Sequence, residues 1–77
     1  MYMFEDNYWY KVMDNSNLNT EIFEIGKIFK VLNCNEYFAT VYSPKTNMKY
    51  FIRLDSIVKV RTIKIDSKVA ELLYAKI

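Results

Sequence analysis

Aromatic and basic side chains recur at every second position in residues 37–54, which read YFATVYSPKTNMKYFIRL. Aromatic rings anchor protein interfaces and stack on nucleotide bases, whereas Lys and Arg contact carboxylates and phosphates. An alternating stretch of this kind predicts a binding surface on a strand pair. The members of this alternating set are Phe38, Thr40, Tyr42, Lys49, Phe51 and Arg53.

Two basic residues further along the chain extend the predicted surface. Lys59 and Arg61 alternate with Val58 and Val60, so we expect the valines to point inward and the basic side chains outward. The candidate residues for binding a partner or a nucleic acid share an outward position and an aromatic or basic side chain. They are Phe38, Tyr42, Lys49, Phe51, Arg53, Lys59 and Arg61.

The other positions of residues 37–54 predict a hydrophobic core face and fix a hairpin register. A four-residue loop at positions 44–47, opened by Pro44, would pair residue 43 with residue 48 and continue outward to residues 37 and 54. In this register the apolar sets of both strands share one face, and a slip of one residue would separate them. The predicted core face comprises Tyr37, Ala39, Val41, Ser43, Met48, Tyr50, Ile52 and Leu54.

Residue types needed for catalysis and metal binding are scarce in this chain. Histidine, the commonest general base and metal ligand, is absent, and the single cysteine, Cys34, has no obvious basic partner. The one glycine, Gly26, cannot form a glycine-rich phosphate loop. The Asp/Asn-rich residues 14–20 lack the glycine and the correctly spaced glutamate of a calcium loop. We therefore expect no enzymatic activity, no cofactor and no metal site.

Charge and composition bear on the partner and the compartment. Residues 1–38 contain three Lys and six acids, whereas residues 39–77 contain eight Lys or Arg and three acids, so the halves carry −3 and +5. Such a dipole favours one orientation of a partner. The single cysteine, the acidic N-terminal residues and the lack of a long apolar run predict a cytoplasmic protein without a membrane span. The abundance of Phe, Tyr, Met, Ile, Asn and Lys, with nine Lys to two Arg, suggests an AT-rich genome, bacterial or viral. Together with the small size and the lack of catalytic groups, it is compatible with a phage or mobile-element protein.

The remaining elements complete a predicted single domain of 77 residues. Alternating aromatic residues at 7–13 and apolar residues at 21–32, with a bulge at Gly26, predict two strands, and residues 33–35 predict a turn. Residues 57–65 predict the last strand, after which Asp66 caps a helix with an apolar stripe of Val69, Leu72 and Leu73. The fold class is mainly β: a small, strongly bent five-stranded antiparallel sheet or SH3-like barrel with a short C-terminal helix. An OB-like barrel is the alternative topology.

Several interpretations of the aromatic and basic face remain open. The C-terminal helix could cover Phe38 and Phe51, leaving Lys and Arg stems to pack against the rings. Alternatively, the face binds another protein, as a regulator, accessory factor or inhibitor would, with Trp9 as a further contact. A third interpretation is binding of single-stranded nucleic acid, and a fourth is self-association through an exposed edge or patch. The protein-interaction module is the leading hypothesis, and nucleic-acid binding is its main alternative.

Overall fold

The computed structural model describes residues 4–15, 23–57 and 60–74 as one sheet with two helices. In chain order the elements are β1 (Tyr8–Asp14), β2 (Ile28–Cys34), β3 (Phe38–Ser43), β4 (Met48–Arg53), α1 (Leu54–Ile57), β5 (Arg61–Ile65) and α2 (Ser67–Tyr74).

All strand pairs of the sheet are antiparallel, and the strands lie in the order β4-β3-β2-β1-β5. The chain is therefore mainly β, with the predicted five-stranded antiparallel sheet and the predicted short C-terminal helix. β4 and β5 form the two edges and do not pair with each other in the described part of the chain, so the sheet is not closed and a barrel is not confirmed. No helix among the described residues is long and apolar enough to cross a membrane.

One face of the sheet, called the inner face, carries the hydrophobic core. Alternate residues of β1, β2 and β3 point into it, and Phe4, Phe23, Ile57 and Val60 close it from the connecting segments. The ring of Phe29 lies 5.8 Å from that of Phe4 and 5.6 Å from that of Phe23, both edge-on, and it stacks with Tyr10. The strand residues of the core are Tyr10, Val12, Phe29, Val31, Cys34, Ala39 and Val41.

The hairpin of β3 and β4 has the predicted register, with Ser43 opposite Met48 and Ala39 opposite Ile52. The predicted core face is wrong at Tyr37 and Met48, whereas Ser43 is buried and Leu54 packs against the core cluster. Tyr37 is 70% exposed and Met48 is 57% exposed. Tyr37 and Met48 lie at opposite ends of the hairpin, across from Leu54 and Ser43.

The strand predicted over residues 21–32 begins only at Ile28. Gly26 lies in a turn with φ +88°, where its N–H donates to the carbonyl of Val12. The N–H of Val12 also donates to the carbonyl of Lys27, so two residues oppose Val12 and the bulge predicted at Gly26 is present. A second irregularity lies within β2, where the register against β3 shifts between Val31 and Asn33. The predicted turn at 33–35 is displaced: β2 continues through Cys34, and the Asn35 side chain accepts hydrogen bonds from the backbone N–H groups of Tyr37 and Phe38.

The end of the chain departs from the prediction in two places. β5 is confined to Arg61–Ile65, since Leu54–Ile57 form a helical turn, while Val58 and Lys59 lie outside the described residues. Asp66 caps α2 as predicted, because its Oδ1 accepts the backbone N–H of Lys68 at 2.7 Å. The predicted apolar stripe of α2 is wrong at Val69 and Leu72, since Leu72 is 68% exposed and Val69 is also exposed, whereas Leu73 is half-buried.

Helix α2 covers part of the outer face of the sheet. The register puts Ile28 on that face, opposite Lys11, yet Ile28 is buried and lies outside the core cluster. Ala70 is likewise fully buried and outside the core cluster, and α2 lies against β1 and β2. These observations indicate that α2 packs over the outer face at β1 and β2 through Ala70.

Candidate binding surface on the β3–β4 hairpin

The hairpin brings the five candidate residues of β3 and β4 onto one surface. Cross-strand pairs join Phe38 to Arg53 and Tyr42 to Lys49, and Thr40 lies opposite Phe51 between them. The alternation of side chains along a strand puts all of them on the outer face, opposite the core. We call this surface the hairpin patch; it comprises Phe38, Thr40, Tyr42, Lys49, Phe51 and Arg53.

Two stacked phenylalanines form the centre of the hairpin patch. The Phe38 and Phe51 ring centroids are 4.5 Å apart, and the ring planes differ by 14°. They are diagonal neighbours, since Phe51 faces Thr40 rather than Phe38, and such pairs are within reach of aromatic side chains. Phe38 is half-buried beneath this contact, whereas Phe51 is 69% exposed.

The hypothesis that the C-terminal helix covers both phenylalanines is therefore wrong. α2 lies against β1 and β2, and the exposure of Phe51 shows that its ring is left uncovered. Phe38 is shielded in part by Phe51 itself. A large apolar ring thus stays exposed beside the basic side chains of Lys49 and Arg53 on the outer face.

The turn between β3 and β4 is held by side-chain hydrogen bonds. The Tyr42 hydroxyl donates to Oδ1 of Asn47 at 2.8 Å, and Asn47 has the left-handed φ of 55° that Asn tolerates well. On the other face, the hydroxyls of Tyr50 and Thr46 lie 2.8 Å apart. These contacts orient Tyr42 at one end of the hairpin patch and hold the loop in one conformation.

The basic residues of the hairpin patch differ in their surroundings. Nη2 of Arg53 lies 2.8 Å from Oδ2 of Asp55, and both side chains are exposed. Lys49 is exposed and forms no ion pair with a residue that the structure describes. Beside Arg53, a shallow groove of about 270 Å³ opens between the hairpin and α1. It is lined by Glu36, Tyr37, Phe38, Arg53, Leu54 and Asp55.

One predicted site residue, Arg61, is not brought to the hairpin patch. Arg61 is exposed on β5, the opposite edge strand, and β1, β2 and β3 lie between it and β4. There it faces Asp14 of β1 rather than the hairpin. Lys59 lies outside the described residues.

Sequence reasoning missed Lys30 as a neighbour of the hairpin patch. Lys30 of β2 lies opposite Tyr42 on one side and opposite Trp9 on the other. A row of Lys49, Tyr42, Lys30 and Trp9 therefore crosses four strands on the outer face. The alternation of residues 21–32 does not reveal this row, because the row depends on how β2 pairs with β1 and β3.

Ion pairs shift the pKa values of Glu24 and Lys64. The hydrogen bond and charge of Lys45 lower the pKa of Glu24, and a hydrogen bond to Glu5 raises the pKa of Lys64. Both are exposed ion pairs, and the Lys64 ammonium also lies 3.7 Å from the centre of the Tyr8 ring.

Within the described ranges there is no cluster of three or more His, Cys, Asp or Glu residues that could hold a metal ion, and Cys34 is buried. The arrangement at the hairpin thus offers contact area, ring faces and positive charge.

Comparison with known proteins gives no match to a family model, to a curated protein or to a solved structure. Function is therefore inferred from the geometry of the hairpin patch and its surroundings.

Proposed function

We propose that this chain is a small, non-enzymatic protein-interaction module that binds another protein through the hairpin patch. The observation that carries the proposal is the exposed ring of Phe51, stacked on Phe38 and flanked by Lys49 and Arg53 on the same strand. Aromatic residues and Arg are enriched among interface residues whose truncation costs most affinity, because they bury much area with few rotatable bonds.

The proposed role is that of a regulator, accessory factor or inhibitor that occupies a surface of its partner in the cytoplasm. The strand order places sequence neighbours side by side and returns β5 to β1, which is compatible with an open relative of SH3-like barrels. A phage or mobile-element origin belongs to the same proposal and rests on composition alone.

Alanine substitution within the hairpin patch tests this function. Phe51→Ala should abolish capture of the partner from a lysate of the source organism, while the circular dichroism spectrum stays unchanged, since Phe51 is outside the core. Leu72→Ala is the matched control, because it removes an equally exposed apolar side chain from α2. Capture by Phe51→Ala at the level of the unsubstituted protein would overturn the proposal.

Binding of single-stranded nucleic acid is the second candidate function. One face of the Phe51 ring stacks on Phe38, so the opposite face could receive a base, with Lys49 and Arg53 beside it for phosphates. Mixed-sequence single-stranded DNA or RNA should then shift the amide signals of β3 and β4, and the affinity should fall steeply with salt. Lys49→Glu and Arg53→Glu should weaken this binding, and affinity that salt leaves unchanged would exclude it.

A further inference from the structure

The outer edge of β4 carries unpaired backbone groups at the same residues that form the hairpin patch. In an antiparallel pair, hydrogen-bonded and non-hydrogen-bonded positions alternate. The N–H of Leu54 donates to the carbonyl of Tyr37 at 2.8 Å, so this is a hydrogen-bonded position. The register from there to Met48 is unbroken, and Ile52 and Tyr50 therefore bond to β3.

It follows that the alternate residues of β4, Lys49, Phe51 and Arg53, direct their backbone N–H and C=O groups away from β3. No described strand pairs with β4 on that side. Their side chains are all exposed and lie on the outer face, in the order basic, aromatic, basic at intervals of two residues. Backbone and side chains thus present one continuous template for a further strand.

We infer that this edge accepts an extended acidic segment of a partner protein as a sixth, antiparallel strand. An aromatic or large apolar residue of the segment lies opposite Phe51, and carboxylates two positions away on each side lie opposite Lys49 and Arg53. The inference rests on the proposed function and specifies its partner. Backbone hydrogen bonds supply affinity in such strand addition, and alternate side chains supply specificity.

Charge complementarity favours this occupant over a second copy of the chain. If two β4 strands paired antiparallel with Phe51 opposite Phe51, Lys49 of each copy would lie opposite Arg53 of the other. Like charges directly opposite each other destabilise a strand pair. Carboxylates of a partner segment opposite Lys49 and Arg53 would replace this repulsion by attraction. A nucleic acid has no peptide groups and therefore cannot extend the backbone hydrogen bonds of the sheet.

The ion pair between Arg53 and Asp55 makes the charge requirement testable within the protein. Both side chains are exposed, and an ion pair of this kind contributes little stability. A partner carboxylate would compete with Asp55 for the guanidinium group. Asp55→Asn should therefore strengthen binding of the acidic segment without changing the fold.

The experiment uses synthetic peptides, so that the protein itself is unaltered. The probe is acetyl-Thr-Glu-Thr-Phe-Thr-Glu-Thr-amide, added to isotope-labelled protein while amide NMR shifts are recorded. Its matched control, acetyl-Thr-Thr-Glu-Phe-Glu-Thr-Thr-amide, has the same composition and charge but places both Glu side chains on the opposite face. The probe should shift the amides of residues 49, 51 and 53, and the control should bind at least about fivefold more weakly, because two cross-strand charge pairs are lost.

Methylation of peptide nitrogens tests the backbone ladder directly. The N–H of the central Phe would donate to the carbonyl of Phe51, so its N-methylation should abolish binding. The N–H of the preceding Thr would point away from β4, so its N-methylation should leave most of the affinity. Equal loss with both peptides would overturn the strand-addition model, as would equal affinity of the probe and its composition-matched control.

Further outcomes separate this inference from the proposed function. No shift with any peptide would overturn the inference, whereas the proposed function fails only if Phe51→Ala still captures the partner. Dimerisation of the free protein through the same amides would assign the edge to a second copy and also overturn the inference. If mixed-sequence single-stranded DNA shifts these amides and none of the peptides does, the inference is also overturned, and the edge is assigned to nucleic-acid binding.

Discussion

The outer face of the sheet has two halves that carry similar side chains and have opposite exposure. Over β1 and β2, helix α2 packs on the sheet, and Ile28 and Ala70 are buried. Over β3 and β4, Phe38 stacks on Phe51, whose ring remains 69% exposed. The apolar character of a side chain therefore does not decide whether it is buried on this face. Burial is decided by whether a helix from a distant part of the chain packs over it.

The length of α2 explains why only one half is covered. The helix has 8 residues and is therefore about 12 Å long, since an α-helix rises 1.5 Å per residue. Neighbouring strands lie about 4.8 Å apart, so a helix of this length spans at most about three of the five strands. The strands farthest from β5, which leads into α2, are left uncovered and available to a partner.

The largest effect is expected from a charge placed beneath the helix. Ala70→Glu should lower the free energy of unfolding by about 2–4 kcal/mol, because a fully buried site must take both extra volume and an unpaired charge. Leu72→Glu, on the exposed side of α2, should change it by less than about 0.5 kcal/mol. Urea unfolding of both variants measures the difference, and equal midpoints would show that α2 does not cover the sheet.

A smaller effect is expected from removing the cap of the same helix. Asp66→Ala deprives the backbone N–H of Lys68 of its acceptor and should cost about 1 kcal/mol. Asp66→Asn keeps an acceptor oxygen and should recover most of this loss in the same unfolding assay. If both variants are as stable as the unsubstituted protein, the cap contributes nothing to holding α2 in place.

The open half should show a weaker interaction of its own. A double-mutant cycle with Phe38→Ala and Phe51→Ala should give a coupling free energy of about 0.5–1 kcal/mol, as expected for a stacked pair. The pair Phe38 and Leu72 should show no coupling, since those residues lie on different elements without a shared contact. Coupling as large as the effect of Ala70→Glu would mean that the hairpin patch is part of the core.

The smallest effect on stability is expected from removing the charge of Glu24, which pairs with Lys45 in the loop of the hairpin. Lys45 lowers the pKa of Glu24 below its ordinary value of 4.5, so the ion pair stabilises the folded chain above that value. The stabilisation is lost as the pH falls through the lowered pKa of the folded state. Glu24→Gln should therefore melt slightly lower than the unsubstituted protein at neutral pH and identically in strong acid.

Exposed Glu36, which forms no ion pair with a described residue, provides the control. Glu36→Gln should leave the melting temperature at neutral pH unchanged. A difference between Glu24→Gln and the unsubstituted protein that persists in strong acid would show that the Glu24 charge is not its cause.

Local periodicity predicted the hairpin and the helix cap correctly. The strand repeat of two residues, combined with a loop of fixed length, leaves one register in which both apolar sets share a face. Asp66 precedes the helix at the position where its side chain reaches an unpaired N–H. The hairpin part of the candidate site follows from the same register, because β3 pairs with β4, the next strand in the chain.

Tertiary structure alone decided which predicted surfaces are covered. The position of Arg61 on the far edge depends on pairing between the distant strands β1 and β5. The exposure of Tyr37 and Met48 depends on what packs against the hairpin. Alternation tells which side chains share a face, but it carries no information on what packs against that face. The sequence by itself therefore determined the composition of the hairpin patch, and the placement of an eight-residue helix over β1 and β2 decided that the patch stays open.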